Sequence, residues 1–383
     1  MSTLRTTNLQ HASAASPAIV LASDGSATAQ LSSLNGGALS GARNRIINGD
    51  MRIDQRNAGA SVTITTTGGG QYTLDRWFGQ ASQSSKFSVQ RNAGSVTPPT
   101  GFTNYLSVTS LSAYSVTSGD YFSIKQSIEG FNGADLAFGT ANAATVTMSF
   151  RVYSSLTGTF GGVLQNGAFN RSYPFTYAIS SANTWTTVSV TIPGDTSGTW
   201  ATDNSSGLVV IFGLGVGSTY SGTAGSWSGN NYISATGGTS VVGTNGATFY
   251  ITGVQLEAGS VATPFERRSY GQELALCQRY YFKTFAQGTA PAQNVSANNL
   301  LLTSGTSNYV SGIIFPVAMR TAPSTITTFN PFAANANFRV PGSATDITIT
   351  GSSGSDWGIT NFGTSGATAP FNAHAHFTAS AEL

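Results

Sequence analysis

Side chains suited to nucleophilic, acid–base or metal chemistry are scarce in this chain: 3 histidines, 1 cysteine and 15 carboxylates. His11 stands near the start, and His374 and His376 stand near the end. No G-x-S-x-G elbow, phosphate-binding loop or H-E-x-x-H pattern occurs. A pair of carboxylates could still hydrolyse a glycosidic bond. Asp120, Asp195 and Asp203 fall beside expected turns, where turn chemistry accounts for them equally well. No enzyme activity is expected. Cys277 lies in the apolar ELALCQRYYF stretch and reads as a buried free thiol.

His374-Ala-His376 is the sharpest local pattern. Residues two apart in a strand point to one side, so both imidazoles would share a face. Around a threefold axis such pairs would supply an octahedral nitrogen set suited to an iron-type metal. Packed histidines in a terminal strand are the plainer alternative. Asp50, Asp54, Asp75 and Glu257 pose a similar choice. They either pair with Arg52, Arg56, Arg76, Arg267 or Arg268 at domain edges, or hold a structural calcium through several oxygens.

Aromatic residues form a third group. Tyr72, Trp77 and Trp185 fall on or beside expected strands, where core packing is the default. Tyr220, Trp227 and Tyr232 instead lie in a glycine-rich stretch beside Ser228, Asn230 and Asn231. Such a set can stack a sugar ring and bond its hydroxyls, or it can anchor the loop to the body of the fold. Trp357, with Phe362, marks a second candidate patch.

The elements that must position these groups are strands. Only 8% of the 383 residues are charged, against 45 glycines and a net charge of +2; an ordinary domain has about a quarter of its residues charged. No basic stripe suits nucleic acid, and no apolar run is long enough to span a membrane as a helix. The apolar patch 17–22 is too short for a secretory signal. Stability must come from core burial or self-association.

Strict alternation predicts strands at 121–128, 145–152 and 187–192, with others at 72–79, 86–91, 105–109, 173–180, 207–213 and 248–257. In the last, the apolar phase slips near Gly253, as at a β-bulge. This pattern predicts an all-β chain whose centre, 45–268, is an antiparallel jelly-roll sandwich. Residues 213–247 form a long glycine-rich excursion. Charge concentrates at 43–56 and 257–283, read as the domain's edges. Residues 1–44 cannot bury a core alone. Beyond Pro264 a helix at 270–279 leads into a small β domain, 269–383, with strands at 279–286, 309–317, 324–330, 346–350 and 371–379.

Several stretches carry a resemblance. NRIINGDMRIDQRNAG (44–59) with YTLDRWFG (72–79) resembles the opening of jelly-roll modules in bacteriophage tail-fibre proteins. FYITGVQLEAGSVATPFERRSYGQELALCQRYY (249–281) is similar to their closing strand and connector, and its VQLE to carbohydrate-binding modules. TTNLQHASAASPAIVLASDGSA (6–27) resembles a fibre attachment segment; FPVAMRTAPS (315–324) and HFTASAEL (376–383) resemble a C-terminal β domain. The resemblance implies a virion component: a homotrimer docked on a tail or baseplate protein through 1–44 and binding a host-surface glycan. The alternatives are a tailspike-type polysaccharide depolymerase and a purely architectural virion protein. Chains poor in charge can pack about a threefold axis without burying unpaired ions.

Overall fold

The computed structural model describes residues 43–304, 309–366, 368 and 370–383, with 8–9, 19–21, 23 and 27–29. Within the 1–44 segment, Asn8–Leu9, Ile19–Leu21 and Ala27–Ala29 pair antiparallel in one small sheet. Apart from residue 23, the rest of that segment up to residue 42, including His11, lies outside the described residues.

The centre of the chain is an antiparallel β-sandwich of two six-stranded sheets. The first sheet runs, edge to edge, Thr186–Ile192, Val146–Ser154, Thr248–Ala258, Leu106–Ser110, Phe87–Arg91 and Val62–Thr63. The second runs Ser172–Ile179, Gly158–Asn166, Ser206–Val216, Tyr121–Glu129, Phe78–Ala81 and Gly69–Tyr72. Between them lie Phe122, Ile124, Val146, Met148, Phe150, Phe160, Phe212 and Phe249, all sealed from solvent. Each such side chain contributes about 1.5–3 kcal/mol through burial. The predicted alternation therefore carries the core.

Gly253 is the expected bulge. Ser149 opposes Gln255 and Arg151 opposes Thr252, so the Thr248–Ala258 strand holds one extra residue there. Its φ of 62° favours glycine, and a Cβ would approach the Phe102 ring to 2.6 Å.

Two expectations fail locally. The stretch 72–79 is not one strand: 73–77 form a tight turn, with the Trp77 N–H donated to the Leu74 carbonyl at 3.0 Å. That turn sends Leu74 and Trp77 into the core and Arg76 away toward the C-terminal domain. The strand Gly158–Asn166 was not expected, because Gly161 and Gly162 interrupt the period-2 pattern. Close approach requires both glycines: a Cβ at Gly162 would lie 2.7 Å from the Ile211 carbonyl oxygen, and one at Gly161 2.2 Å from Ser234 Oγ.

Helix α1, Tyr270–Gln278, starts at a capping box made by Ser269 and Gln272. It leads to a second β domain whose central strand, Asn372–Ser380, pairs with Tyr281–Lys283, Leu300–Thr303, Thr325–Phe329 and Phe338–Arg339. Asp346–Ser355, Gly358–Ser365 and Tyr309–Ile314 extend this sheet. Phe338, Phe362, Phe377 and Ile347 fill its core. The alternating small residues Ala373, Ala375 and Ala379 let these large rings approach the central strand.

The two charged stretches meet. Glu266 accepts the Arg43 and Asn44 N–H groups at 3.2 and 2.8 Å, and Arg52 pairs with Asp50 at 2.6 Å. Glu382, next to the chain's last residue, pairs with Arg76 and with Arg56 (2.7 Å). Arg76 also lies over the Tyr280 ring, 3.6 Å from its centroid. Arg279 forks onto Glu129 at 2.9 and 2.5 Å, and the Tyr280 hydroxyl donates to the same carboxylate at 2.7 Å. The sandwich and the C-terminal domain are thus joined by ion pairs between Arg56, Arg76 and Arg279 and the carboxylates of Glu382 and Glu129.

Not every acidic residue at this edge is an ion-pair partner. Asp54 accepts the Asn57 and Gly59 N–H groups, and Asp75 accepts from the backbone and side chain of Gln55. Glu257 binds Thr263 through its N–H and hydroxyl. These carboxylates brace turns. Among the described residues no group of three or more His, Cys, Asp or Glu is arranged to hold a metal ion.

Candidate functional site

The outward face of the first sheet is polar because its strands alternate. Val146, Met148, Phe150 and Val152 face the core, which turns Ser149, Arg151 and Tyr153 outward. Thr187 and Ser189 do the same on the edge strand, and the register sets Ser149 opposite Ser189 and Arg151 opposite Thr187.

Two excursions overhang this face. The loop before Tyr105 brings in Phe102 and is tied down by the Thr252 hydroxyl, which donates to the Asn104 carbonyl at 2.7 Å. The segment after Ala258 brings in Pro264 and Phe265, and Glu257 holds it through the Thr263 N–H and hydroxyl at 2.8 and 2.6 Å. Between them lies a cleft of about 320 Å³. Ser149, Arg151, Thr187 and Ser189 line its floor; Phe102, Pro264 and Phe265 line its sides. Small-ligand sites span roughly 300–1,000 Å³.

The cleft's electrostatics are unusual for this chain. No carboxylate lines it, and Arg151 has no ion-pair or hydrogen-bond partner among the described residues. The Arg267 guanidinium lies 4.8 Å from the Phe102 centroid and 5.6 Å from that of Phe265, and these two rings meet edge-on at 5.3 Å. Two residues beyond Arg151, Tyr153 stacks parallel on Tyr250 at 5.2 Å, with Trp185 and Tyr105 beside them. Hydroxyl and guanidinium donors therefore sit between aromatic surfaces. Such an arrangement can bond the hydroxyls of a ligand while packing its apolar faces.

The glycine-rich excursion is placed differently. It folds over the outer face of the second sheet, where Ile233 covers Val163, Val209 and Ile211. Trp227 is half-buried among Tyr173, Trp200 and Phe138, with centroids 5.3, 5.5 and 5.9 Å away, and its indole N–H donates to the Pro193 carbonyl at 2.8 Å. Tyr220 packs edge-on against Tyr121 at 5.1 Å. Asn230 donates to Ser228 Oγ and the Tyr232 hydroxyl at 3.1 and 2.9 Å, while Asn231 accepts from Gln165 at 2.9 Å. Of the two readings for this loop, these contacts are those of an anchor. Its amides already have partners within the chain.

The remaining candidates are scattered. Trp357 is 64% exposed at the hairpin tip between Asp346–Ser355 and Gly358–Ser365, beside Ile314, which is 82% exposed. Phe362 is in the core. His374 and His376 do not present a common open face. His376 is sealed against Phe285, ring centroids 3.9 Å apart, with Nδ1 bonded to the Thr284 hydroxyl and Nε2 facing the Ala297 carbonyl at 3.2 Å. Burial holds its imidazole below the usual histidine range. His374 is half-buried, bonded to Asn299 at 2.5 Å and edge-on to Phe332. The reading of packed histidines describes what is seen. Asp195 forks onto Arg171 at 2.6 and 2.7 Å, Asp203 caps Ser205, and Asp120 closes a turn. Each of these carboxylates is engaged in its own local hydrogen bonds or ion pair.

Sequence reasoning passed over Phe102, Ser149, Arg151, Thr187, Ser189 and Phe265. One signal was available: Arg151 sits on the polar phase of an otherwise Ser/Thr strand, in a chain with few charges to place. Nothing in the sequence showed that the 92–105 and 259–265 segments would enclose it.

No protein-family model matches the chain, and no curated protein does. Among solved structures the chain is similar to the enzymatically active domain of tailspike protein 4 of bacteriophage CBA120, at 12% identity and TM-score 0.29. That match covers 58% of this chain and only 22% of that domain's chain. A family 11 carbohydrate-binding module from Clostridium thermocellum, solved with a β-1,3-1,4-mixed-linked tetrasaccharide, matches at 14% identity and TM-score 0.27, covering 53% of this chain and 98% of the module. TmCBM61, solved with β-1,4-galactotriose, matches at 9% identity and TM-score 0.28, covering 56% of this chain and 99% of that one. At such values none of these bears on what this chain binds.

Proposed function

We propose that this chain is a bacteriophage tail-fibre or adhesin subunit that binds a surface glycan without cleaving it. The cleft on the first sheet is the observation that carries the reading: a floor of hydroxyls and an unpartnered arginine, walled by aromatic rings, with no carboxylate to act as acid or nucleophile. In this proposal 1–44 docks on a tail or baseplate protein, the sandwich meets the glycan, and three copies associate. Weak binding at each cleft then suffices, because linked copies raise one another's effective concentration.

The test is binding of the purified chain to immobilised bacterial lipopolysaccharides and capsular polysaccharides, with release of oligosaccharides followed in parallel. Binding without release is expected, and Phe102→Ala should weaken it about tenfold, the loss of roughly 1.4 kcal/mol. Retention of full binding by that variant at unchanged thermal stability would remove the cleft. Released oligosaccharides would favour a depolymerase.

A further inference from the structure

Nine ion pairs form among the described residues, and the junction arginines Arg56, Arg76 and Arg279 are all paired with a carboxylate. Arg151 and Arg267 are not. Arg151 stands half-buried at the floor of the cleft, flanked across the register by Thr187 and Thr252, neither of which can neutralise it. Thr252 has turned its hydroxyl to the Asn104 carbonyl. Arg267 lies on the two rings that wall the same cleft, held by cation–π contact and not by an acid. The nearest carboxylates are committed elsewhere: Glu257 to Thr263 and Gln255, Glu266 to the Arg43 and Asn44 backbone and to Arg268.

No carboxylate of the chain pairs with the Arg151 guanidinium, which leaves its charge open to an incoming anion. A neutral sugar needs only the hydroxyls of Ser149, Thr187 and Ser189. We infer that the cleft selects a glycan bearing a negative charge, a uronate-type carboxylate or a phosphodiester, whose oxygens bind the fork of Arg151 while the sugar face packs on Phe102. The planar fork of arginine matches both anions in bidentate geometry. Arg267, at the wall, adds to the positive field that draws the acidic polymer in. This inference rests on the cleft being the glycan site.

The experiment uses the full-length chain and matched polymer pairs. Polygalacturonate, alginate, hyaluronan and polysialic acid are each compared with their carboxyl-reduced forms, and phosphomannan with neutral mannan; mixed-linked glucan and galactan serve as neutral probes. The expected result is binding to at least one acidic polymer, weakened tenfold or more by removal of its charge. The same binding should weaken tenfold or more in Arg151→Met, less in Arg267→Gln, and as salt rises from 50 to 500 mM. Loss on carboxyl reduction identifies a uronate-type ligand, and selective binding of phosphomannan a phosphodiester. Thermal midpoints of both variants should equal that of the parent, so loss of binding cannot be loss of fold.

Equal binding of charged and neutral forms, unaffected by Arg151→Met, overturns the inference. If that binding still falls in Phe102→Ala, the glycan-binding cleft stands and only its selectivity is wrong. No binding to any polymer in either form, nor to the bacterial lipopolysaccharides and capsular polysaccharides, overturns both.

Discussion

Arginines at the domain junction and arginines at the cleft are treated in opposite ways. At the junction Arg76 is fully buried, pairs with Glu382 and lies on Tyr280; Arg279 forks onto Glu129. At the cleft Arg151 and Arg267 meet hydroxyls and rings but no acid. The contrast separates the two regions by what the chain itself supplies. A buried charge completed by its own chain holds two domains together, whereas one left incomplete on a ligand-sized surface is available to something else.

Aromatic residues divide along the same line. Trp227 has its N–H bonded and its ring surrounded by three others. Phe102 and Phe265 stand at the sides of an open cleft. The glycine-rich loop, whose composition suits either a sugar site or an anchor, seals one sheet. The plainer face of the other sheet is left accessible.

The largest expected effect comes from breaking the junction. Glu382→Gln leaves Arg76 buried without its counter-charge, and the variant should lose about 3–5 kcal/mol. Chemical denaturation monitored by tryptophan fluorescence measures this. Replacing both partners together, as Arg76→Met with Glu382→Leu, should recover only part of the loss, because Arg56 still loses the carboxylate it shares with Arg76.

Trp227→Ala should cost about 3 kcal/mol by emptying the aromatic nest under the loop. Glycan affinity should be unchanged in the fraction that stays folded. A calorimetric titration run well below the variant's thermal midpoint separates the two quantities, and a drop in affinity would return the loop to the binding site.

Asp120 supplies the mildest case. Burial works against its charge, but the Thr117 N–H and hydroxyl, with the Ser82 and Tyr114 hydroxyls, outweigh it and hold the carboxyl down to about 2. A carboxyl lowered in the folded state stabilises above its ordinary value near 4, and that contribution is lost as pH falls through about 2. Stability measured from pH 5 to 2 should therefore fall less steeply in Asp120→Asn than in the parent. Parallel curves would show that the turn, not the carboxylate's charge, is what matters there.

Much of this architecture could be read from residue order. The alternation in Val146–Ser154 and Tyr121–Glu129, the bulge at Gly253 and the helix after Ser269 are local properties, set by periodicity and capping. The strand Gly158–Asn166 could not be read that way. Its glycines are dictated by Phe175, Ile211 and Ser234, residues that only the fold brings near. The same limit hid the junction, where Arg56 and Arg76 find an acid more than 300 positions away at Glu382.

Pattern and composition alone establish an all-β chain with few charges, a sandwich core, and no local signature of catalysis. Only the tertiary structure decides which polar groups are satisfied. Hydrogen bonds and ion pairs between distant segments depend on register, loop closure and domain docking, and none of these is encoded in any short stretch. Arg151 and Arg76 carry the same side chain; what distinguishes them is whether folding delivers a carboxylate.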